Sequence, residues 1–369
     1  MHEAERGLFE LQRGRPLLVT SAGAPAALVA TVEGLSWRTL DHLREIQQAE
    51  PRLVLTGHRA RAAGLAADGH DVSIGLPAGI DTAQIMRLSC GRDKGGRHAV
   101  DVRQASAVEA SGLILTKLGR LLPAIVSSTV DPAANPTLRS LIDSGALLAA
   151  TTTAIDSMAA NTALELVHVS KGLVPLAHAE DAQVMLFRES NGLLEHVAIV
   201  IGGPETWPDA VPVRLHSACF TGDILGSLRC DCGEQLHGSL RAFSARGGGV
   251  LVYLAQEGRG IGLANKLRAY ELQEEGLDTE EADGMLGFGA DERRYDTAVA
   301  ILRYLGLQRI QLLTNNPEKM RAVQEGGIEV LDRQPLYGTL NRHNARYVAT
   351  KVRAGHWLDD MLAGVRPRP

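Results

Sequence analysis

Apolar residues recur along this chain with two periods. A spacing of three to four residues at 6–12 and 40–48 predicts amphipathic helices, while short apolar runs at 16–20, 52–56 and 197–201 predict strands. In the second half the alternation sharpens. Gly249–Leu254 (GVLVYL) reads as a buried strand, 263–275 as an amphipathic helix closed by Gly276, 296–305 as another helix and 309–314 (RIQLLT) as a further buried strand. The expected fold class is α/β, mixed α/β and α+β, in two domains spanning 1–190 and 191–369. That division rests on the turn signals GGPETWPD at 202–209 and on the denser motifs beyond them. The length of 369 residues is enough for two such cores.

Buried strands of the second half end in polar residues. Gly249–Leu254 leads through Ala255 and Gln256 into Glu257, Gly258, Arg259, Gly260, Ile261 and Gly262, ahead of the next helix. There, backbone amides and an arginine suit a phosphate, although a plain tight turn has the same composition. The strand at 309–314 delivers Thr314, Asn315, Asn316 and Pro317, and Lys319 follows on a helix. Such carboxyl ends are where open α/β sheets bind ligands. The knot LGFGADERRYD at 286–296 gathers Asp291, Glu292, Arg293 and Arg294, a pattern shared with solvated helix starts. No GxxxxGK[ST] occurs, so a nucleoside triphosphate bound here does not use a P-loop.

Charge and cysteine usage narrow the class. A net charge of −5 with 22% charged residues offers no basic field for nucleic acid. No apolar run approaches the roughly 20 residues of a membrane span, and the amino terminus lacks the apolar core of a signal peptide. A cytoplasmic protein without nucleic-acid or membrane partners is expected. Three of the four cysteines, Cys219, Cys230 and Cys232, fall within RLHSACFTGDILGSLRCDCGEQL at 214–236. Three thiolates with an open fourth position describe a catalytic zinc. A fourth ligand from His216 or His237 would instead make a closed structural site, and buried free thiols are a third reading. Cys90, in LSCGRDKGG, stands apart and reads as a plain thiol.

From Arg214 to about Trp357 the chain resembles GTP cyclohydrolase II, which opens the guanine ring of GTP at the start of riboflavin synthesis. The resemblance is carried by RLHSACFTGDILGSLRCDCGEQL, QEGRGIGLANKLRAYELQEEGLDT, LGFGADER, LLTNNPEK and HNARYVATKVRAGHW, in the family's order and spacing. It implies that Cys219, Cys230 and Cys232 hold one zinc per chain, which activates a water for attack on C8 and leads to loss of formate. It also implies GTP contacts from Arg214, Gln235, Glu257, Gly258, Arg259, Thr279, Thr314 and Lys319. Asp291, Arg293 and Tyr270 match the family's catalytic positions: Arg293 as nucleophile or charge stabiliser at the α-phosphate, Asp291 as its proton acceptor, Tyr270 in ring opening. Magnesium on the GTP phosphates and a homodimer complete the family's pattern. Ala218, Asp283 and Arg294 depart from its usual residues without removing a ligand or catalytic group. Alternatives are a related zinc hydrolase acting on another nucleotide and a non-catalytic nucleotide-binding regulator.

The opening ERGLFELQRGRPLLVTSAG resembles 3,4-dihydroxy-2-butanone 4-phosphate synthase, an α+β enzyme often fused ahead of a cyclohydrolase II. That family follows its first strand with an acidic, magnesium-binding loop. Here SAGAPAALVA at 21–30 carries no carboxylate, and LLPAIVSSTVDPAA lacks the family's later motif. Hard cations need oxygen ligands. A degenerate, inactive synthase-like domain is expected, left to support a dimer or the chain's stability.

Overall fold

The computed structural model describes residues 2–47, 49–65, 68–92, 101–160 and 165–358. Two compact units divide the chain, one of Met1–Thr162 with Ile261–Glu292, the other of Ala163–Gly260 with Arg293–Pro369. The expected division at 190/191 therefore falls later than the first crossing of the chain. The reason is a strand pairing: Leu166–Leu173 runs antiparallel to Gln183–Glu189 and belongs to the second sheet.

The first unit is built on a seven-stranded mixed sheet. Its strands are β1 (Leu17–Ser21), β2 (Ala24–Thr31), β3 (Arg52–Leu55), β4 (Val72–Gly75), β5 (Val102–Gln104), β6 (Ala124–Val130) and β7 (Ala149–Thr151), in the order β5-β4-β3-β6-β2-β1-β7. Expected helices at 6–12 and 40–48 appear as His2–Gln12 and Trp37–Gln47, with Gln48 outside the described residues. The run SAGAPAALVA is the turn and second arm of the β1–β2 hairpin. Ser21 pairs with Ala24, and Gly23 takes the positive φ of 72° that so tight a reversal needs.

Segment 261–292 enters this unit's core. Ile261, Ala269, Leu272, Ala282, Met285, Leu286 and Phe288 pack with Leu28, Leu53, Leu55, Ile74 and Val126 in one apolar cluster. Polar bonds pin the join: Thr56 Oγ1 donates to Gly287 O at 2.7 Å. Arg59, 1% exposed, donates to Leu88 O at 2.8 Å and Gly91 O at 2.9 Å, and its other arm lies 3.2 Å from Met285 Sδ. Burial pushes this guanidinium down to about 10. The expected first domain is thus only part of its unit.

In the second unit the strands are β8 (Leu166–Leu173), β9 (Gln183–Glu189), β10 (Glu195–Ile201), β11 (Val211–Ser217), β12 (Gly249–Leu254), β13 (Arg309–Leu313) and β14 (Glu329–Gln334). They stand in the order β14-β13-β11-β12-β10-β9-β8, the first four mutually parallel and the rest antiparallel. Period-two alternation explains the near-continuous apolar runs. On β12, Val250 and Val252 face a core closed by Val299, Ile301, Leu302 and Val323 from helices Asp296–Tyr304 and Pro317–Glu325. Leu251 faces the other side, against Leu240 and Phe243 of helix Cys232–Ala245. The chain leaves β11 for β12 on one side and later places β13 on the other. Loops therefore diverge at the carboxyl end of β11, where such sheets open a crevice. Among the described residues no helix is long and apolar enough to cross a membrane.

Candidate metal centre and nucleotide site

At that end of β11 the chain reaches Cys219 and turns through a short π-helical segment, Phe220–Ile224. It returns at Cys230 and starts the helix Cys232–Ala245. The three Sγ atoms lie within 4.8 Å of one another, with Cys219 and Cys230 3.7 Å apart. Two thiolates on one tetrahedral zinc, each at about 2.3 Å, stand about 3.8 Å apart, so Cys219 and Cys230 are spaced for that ion. Gly222 packs directly on the cluster: a Cβ there would sit 2.7 Å from Cys230 Sγ and 3.0 Å from Cys219 Sγ. The donor set also calls for a cation. Cys219 and burial together push Cys230 up to about 11, a thiol that zinc would deprotonate.

Neither histidine joins the cluster. His216 turns Nε2 to the Asp223 carboxylate at 3.1 Å, both side chains 2% exposed, and stacks on Tyr253. Burial holds this imidazole below its ordinary pKa. His237 lies edge-on to His178, ring centres 5.7 Å apart. Among the described residues the cluster thus has three protein donors, all of them thiols. Cys90 is half-buried, its thiol 3.4 Å from Met86 O, and is not part of the cluster; its run LSCGRDKGG passes beyond the described residues after Arg92.

Asp223 does more than meet His216. Its Oδ2 accepts the Cys219 N–H and the Tyr253 hydroxyl, both at 2.9 Å, which fixes the backbone of the first thiol. Glu257 performs the same service one residue on, accepting the Phe220 N–H at 2.5 Å. Glu257 is itself positioned by β12 and by His196. The His196 Nδ1 accepts the Ala255 N–H at 3.1 Å, so Nε2 carries the proton toward Glu189, 3.2 Å away. Gly258 and Arg259 follow with φ of 63° and 61°. The left-handed region is ordinary for glycine and strained for arginine, a conformation that recurs at ligand sites.

Arg214 and Gln235 are buried and bonded to each other at 2.5 Å; the other arm of Arg214 donates to Leu313 O at 2.9 Å. The Arg214 Nε is buried without a hydrogen-bond partner. Beyond β13, Lys319 donates to Leu215 O at 2.6 Å, and Thr314 Oγ1 accepts the Asn316 N–H at 3.0 Å. Arg293 and Lys319 both approach the ring of Tyr295, at 5.9 and 5.8 Å from its centre. Two cations expected at phosphates therefore lie about one aromatic ring. Gln256 ties these pieces, donating to Ser217 Oγ at 3.1 Å and accepting the Arg294 N–H at 3.1 Å.

Cys219, Cys230, Cys232, Arg214, Gln235, Glu257, Gly258, Arg259, Arg293, Thr314 and Lys319 all belong to the second unit. Tyr270, Thr279 and Asp291 belong to the first. Tyr270 lies on helix Leu263–Glu274 with Lys266 Nζ 5.8 Å from its ring centre. Thr279 opens the helix Thr279–Met285 behind the capping residue Asp278, and Asp291 is exposed in the loop beyond. Of the departing residues, Asp283 is buried on that same helix, while Arg294 makes a 2.6 Å surface pair with Asp296. Sequence reading missed Asp223, Tyr253, Asp231, Tyr295 and Lys351. For Asp223 a signal existed, since it lies between the ligands in a run whose glycine predicts a tight turn.

Residues 168–335 match the family model described as GTP cyclohydrolase II. A GTP cyclohydrolase-2 of Azospirillum brasilense is 38% identical over 370 residues, covering 96% of this chain and 94% of its own. One from Xylella fastidiosa (strain Temecula1) is 40% identical over 368 residues, 99% of this chain and 90% of its own. A shorter one from Pseudomonas paraeruginosa is 48% identical over 204 residues, 54% of this chain and 98% of its own. Among solved structures, RibBX, a two-domain 3,4-dihydroxy-2-butanone 4-phosphate synthase from A. baumannii, aligns over 90% of this chain and 99% of its own. Its TM-score of 0.32 and 14% identity are too low to assign a fold.

Proposed function

The chain belongs to the GTP cyclohydrolase II family, and from that premise we propose how its residues act on GTP. The activity is hydrolytic opening of the guanine imidazole ring of GTP in riboflavin biosynthesis, which gives a diaminopyrimidine ribotide, formate and diphosphate. The observation that carries the mechanism is the triangle of Cys219, Cys230 and Cys232, with no fourth donor among the described residues. One zinc held there would supply the Lewis acidity that readies a water for C8.

The protein's part is to hold and orient. Asp223 and Glu257 fix the main chain around Cys219 and so would keep its thiol in place for a bound zinc. Arg214 and Gln235, already locked together, offer guanine a rigid polar edge, and the unpartnered Arg214 Nε is a donor in reserve. Arg259 on its strained turn, with Arg293 and Lys319 about Tyr295, supplies positive charge for the phosphates, and Gly258 and Thr314 complete the contacts. Arg293 acts as charge stabiliser at the α-phosphate, because a guanidinium stays protonated and makes a poor nucleophile. Asp291 and Tyr270 handle protons, and Thr279 contacts substrate, as the family likeness implies. Magnesium arrives with the triphosphate, whose oxygens are its natural ligands. A second copy would cover the exposed Ile224, Leu225 and Leu228 beside the cysteines, in keeping with a homodimer. The mildly acidic composition suits a cytoplasmic enzyme that binds neither membrane nor nucleic acid. The amino-terminal fold is inactive as a synthase, since a two-residue hairpin stands where that chemistry needs an acidic loop.

Incubation of the pure protein with GTP and magnesium, following formate and the pyrimidine chromophore, tests the reading. Wild-type protein carries about one zinc per chain and turns over, whereas Cys230→Ser loses both. Turnover by zinc-free Cys230→Ser would refute it. Nucleotide binding without product would make the protein a regulator instead.

A further inference from the structure

We propose that the carboxy-terminal helix Ala345–Arg353 is a working part of this site, with Lys351 as a positioning residue that holds the zinc loop through Asp231. The proposal rests on reading the three cysteines as a zinc site. Asp231 stands between Cys230 and Cys232 in sequence, and its side chain is 0% exposed. Its Oδ1 accepts from Lys351 Nζ at 3.0 Å and its Oδ2 from Gln235 Nε2 at 2.5 Å, so both oxygens are engaged. Gln235 in turn bonds Arg214, and Arg214 bonds Leu313 O. One line of polar contacts thus runs from the tail helix, between two thiols, across the guanine-side pair and on to the end of β13.

The lysine is itself confined, 14% exposed, with the ring of Tyr347 4.3 Å away one turn earlier on the helix. Burying an ammonium beside a carboxylate is a costly way to dock a helix, and removing one partner strands the other charge in the interior. The tail has a second anchor at the phosphate side. The Trp357 N–H donates to Asn315 O at 2.9 Å, in the turn that follows β13. Arg333 lies 4.7 Å over the Trp357 ring, and Leu358 is buried. Between the anchors sits His356, pushed down to about 3 by burial and by the nearby charges of Lys351, Arg293, Lys319 and Arg259. Four cations felt by one imidazole mark a place where positive charge is gathered, and the phosphate chain of a nucleotide has the matching sign. The tail therefore touches the metal end and the phosphate end together.

The test uses the full chain loaded with zinc, as wild type, Lys351→Met, Lys351→Arg, Asp231→Asn and the Asp231→Asn/Lys351→Met double variant. Two quantities are read at a temperature where every protein is folded by circular dichroism: the rate of zinc transfer to a chromogenic chelator, and KM and kcat for GTP. Lys351→Met should release zinc at least tenfold faster and lose at least tenfold in kcat/KM, while Lys351→Arg keeps most of the zinc retention. The double variant should lose less than the product of the single losses, because no buried charge is left alone. A merely structural ion pair would lower the melting temperature and leave zinc release from the folded protein unchanged. Release within twofold of wild type in folded Lys351→Met, or equal behaviour of the Met and Arg variants, overturns the proposal. Should Lys351→Met not fold, release from the double variant at the product of the losses of Asp231→Asn and Lys351→Arg overturns it, and anything smaller supports it. If the wild type holds zinc but leaves GTP untouched, the release arm still decides this proposal while the reading of the reaction alone fails.

Discussion

Gly222→Ala is the smallest change that tests the metal centre. The added methyl would lie 2.7 Å from Cys230 Sγ, 3.0 Å from Cys219 Sγ and 3.0 Å from Cys232 Cβ. Ordinary contact between such atoms begins at about 3.5 Å, so Cys230 must retreat by roughly 0.8 Å. Metal–ligand distances tolerate only about 0.2 Å. Backing the turn away instead is blocked, because Gly222 O is wedged against the next helix, where a Cβ on Gly233 would stand 2.4 Å from it. One thiolate is therefore lost to the metal. Structural zinc sites bind with about 10–16 kcal/mol over four ligands, so one ligand's share is about 3 kcal/mol, or roughly a hundredfold in affinity. Competition with a chromogenic chelator measures this, with circular dichroism to check folding. Gly238→Ala on the same helix is the control: its new methyl meets only Leu336 and Arg241, at 3.6 and 3.9 Å. It should gain about 0.5–1 kcal/mol in stability with zinc affinity unchanged. Wild-type zinc affinity in folded Gly222→Ala would show that the three sulfurs do not share an ion.

Arg293→Ala should abolish diphosphate release while keeping zinc, and wild-type rates in it would remove Arg293 from the chemistry. Arg293→Lys should restore little, since a point charge does not replace a planar fork, and full rates in it would refute the need for that fork. For His356 the folded state favours the neutral ring, so its contribution is intact above the ordinary value of 6.5 and is lost as pH falls from there toward about 3. Thermal melts of His356→Gln should accordingly lose less stability than wild type over that window, and superimposable pH profiles would disprove the assignment. With ribulose 5-phosphate and magnesium the protein should form no 3,4-dihydroxy-2-butanone 4-phosphate, a product whose appearance above a no-enzyme control would contradict an inactive amino-terminal fold. A chain beginning near Leu173 should still bind zinc but expose Ile261, Leu272, Met285, Leu286 and Phe288. Protease should then cut within 261–292 and turnover should be lost, whereas full activity with that segment protected would refute the argument.

What the sequence reveals about such a site depends on how its parts signal. Cys219, Cys230 and Cys232 are legible because a rare residue repeats within one turn and one loop, and β12 and β13 because a buried strand in a parallel sheet must be apolar on both faces. Asp231 carries no such mark. It is one acidic residue between two cysteines, and its partner Lys351 lies 120 positions away, so only the folded chain joins them. Tyr295 is equally silent, an aromatic at a helix start until Arg293 and Lys319 are seen about its ring. The segment 261–292 is the sharpest case. The period of 263–275 shows that one face of that helix is buried, yet periodicity names a buried face and never the surface that buries it. Read along the chain it belongs with the cysteines, and its apolar side chains are in the cluster of β2, β3, β4 and β6. The amino-terminal fold therefore holds in place the stretch that carries Tyr270 and Asp291. Arg59, buried against Met285, is one of the contacts that tie that stretch to this fold.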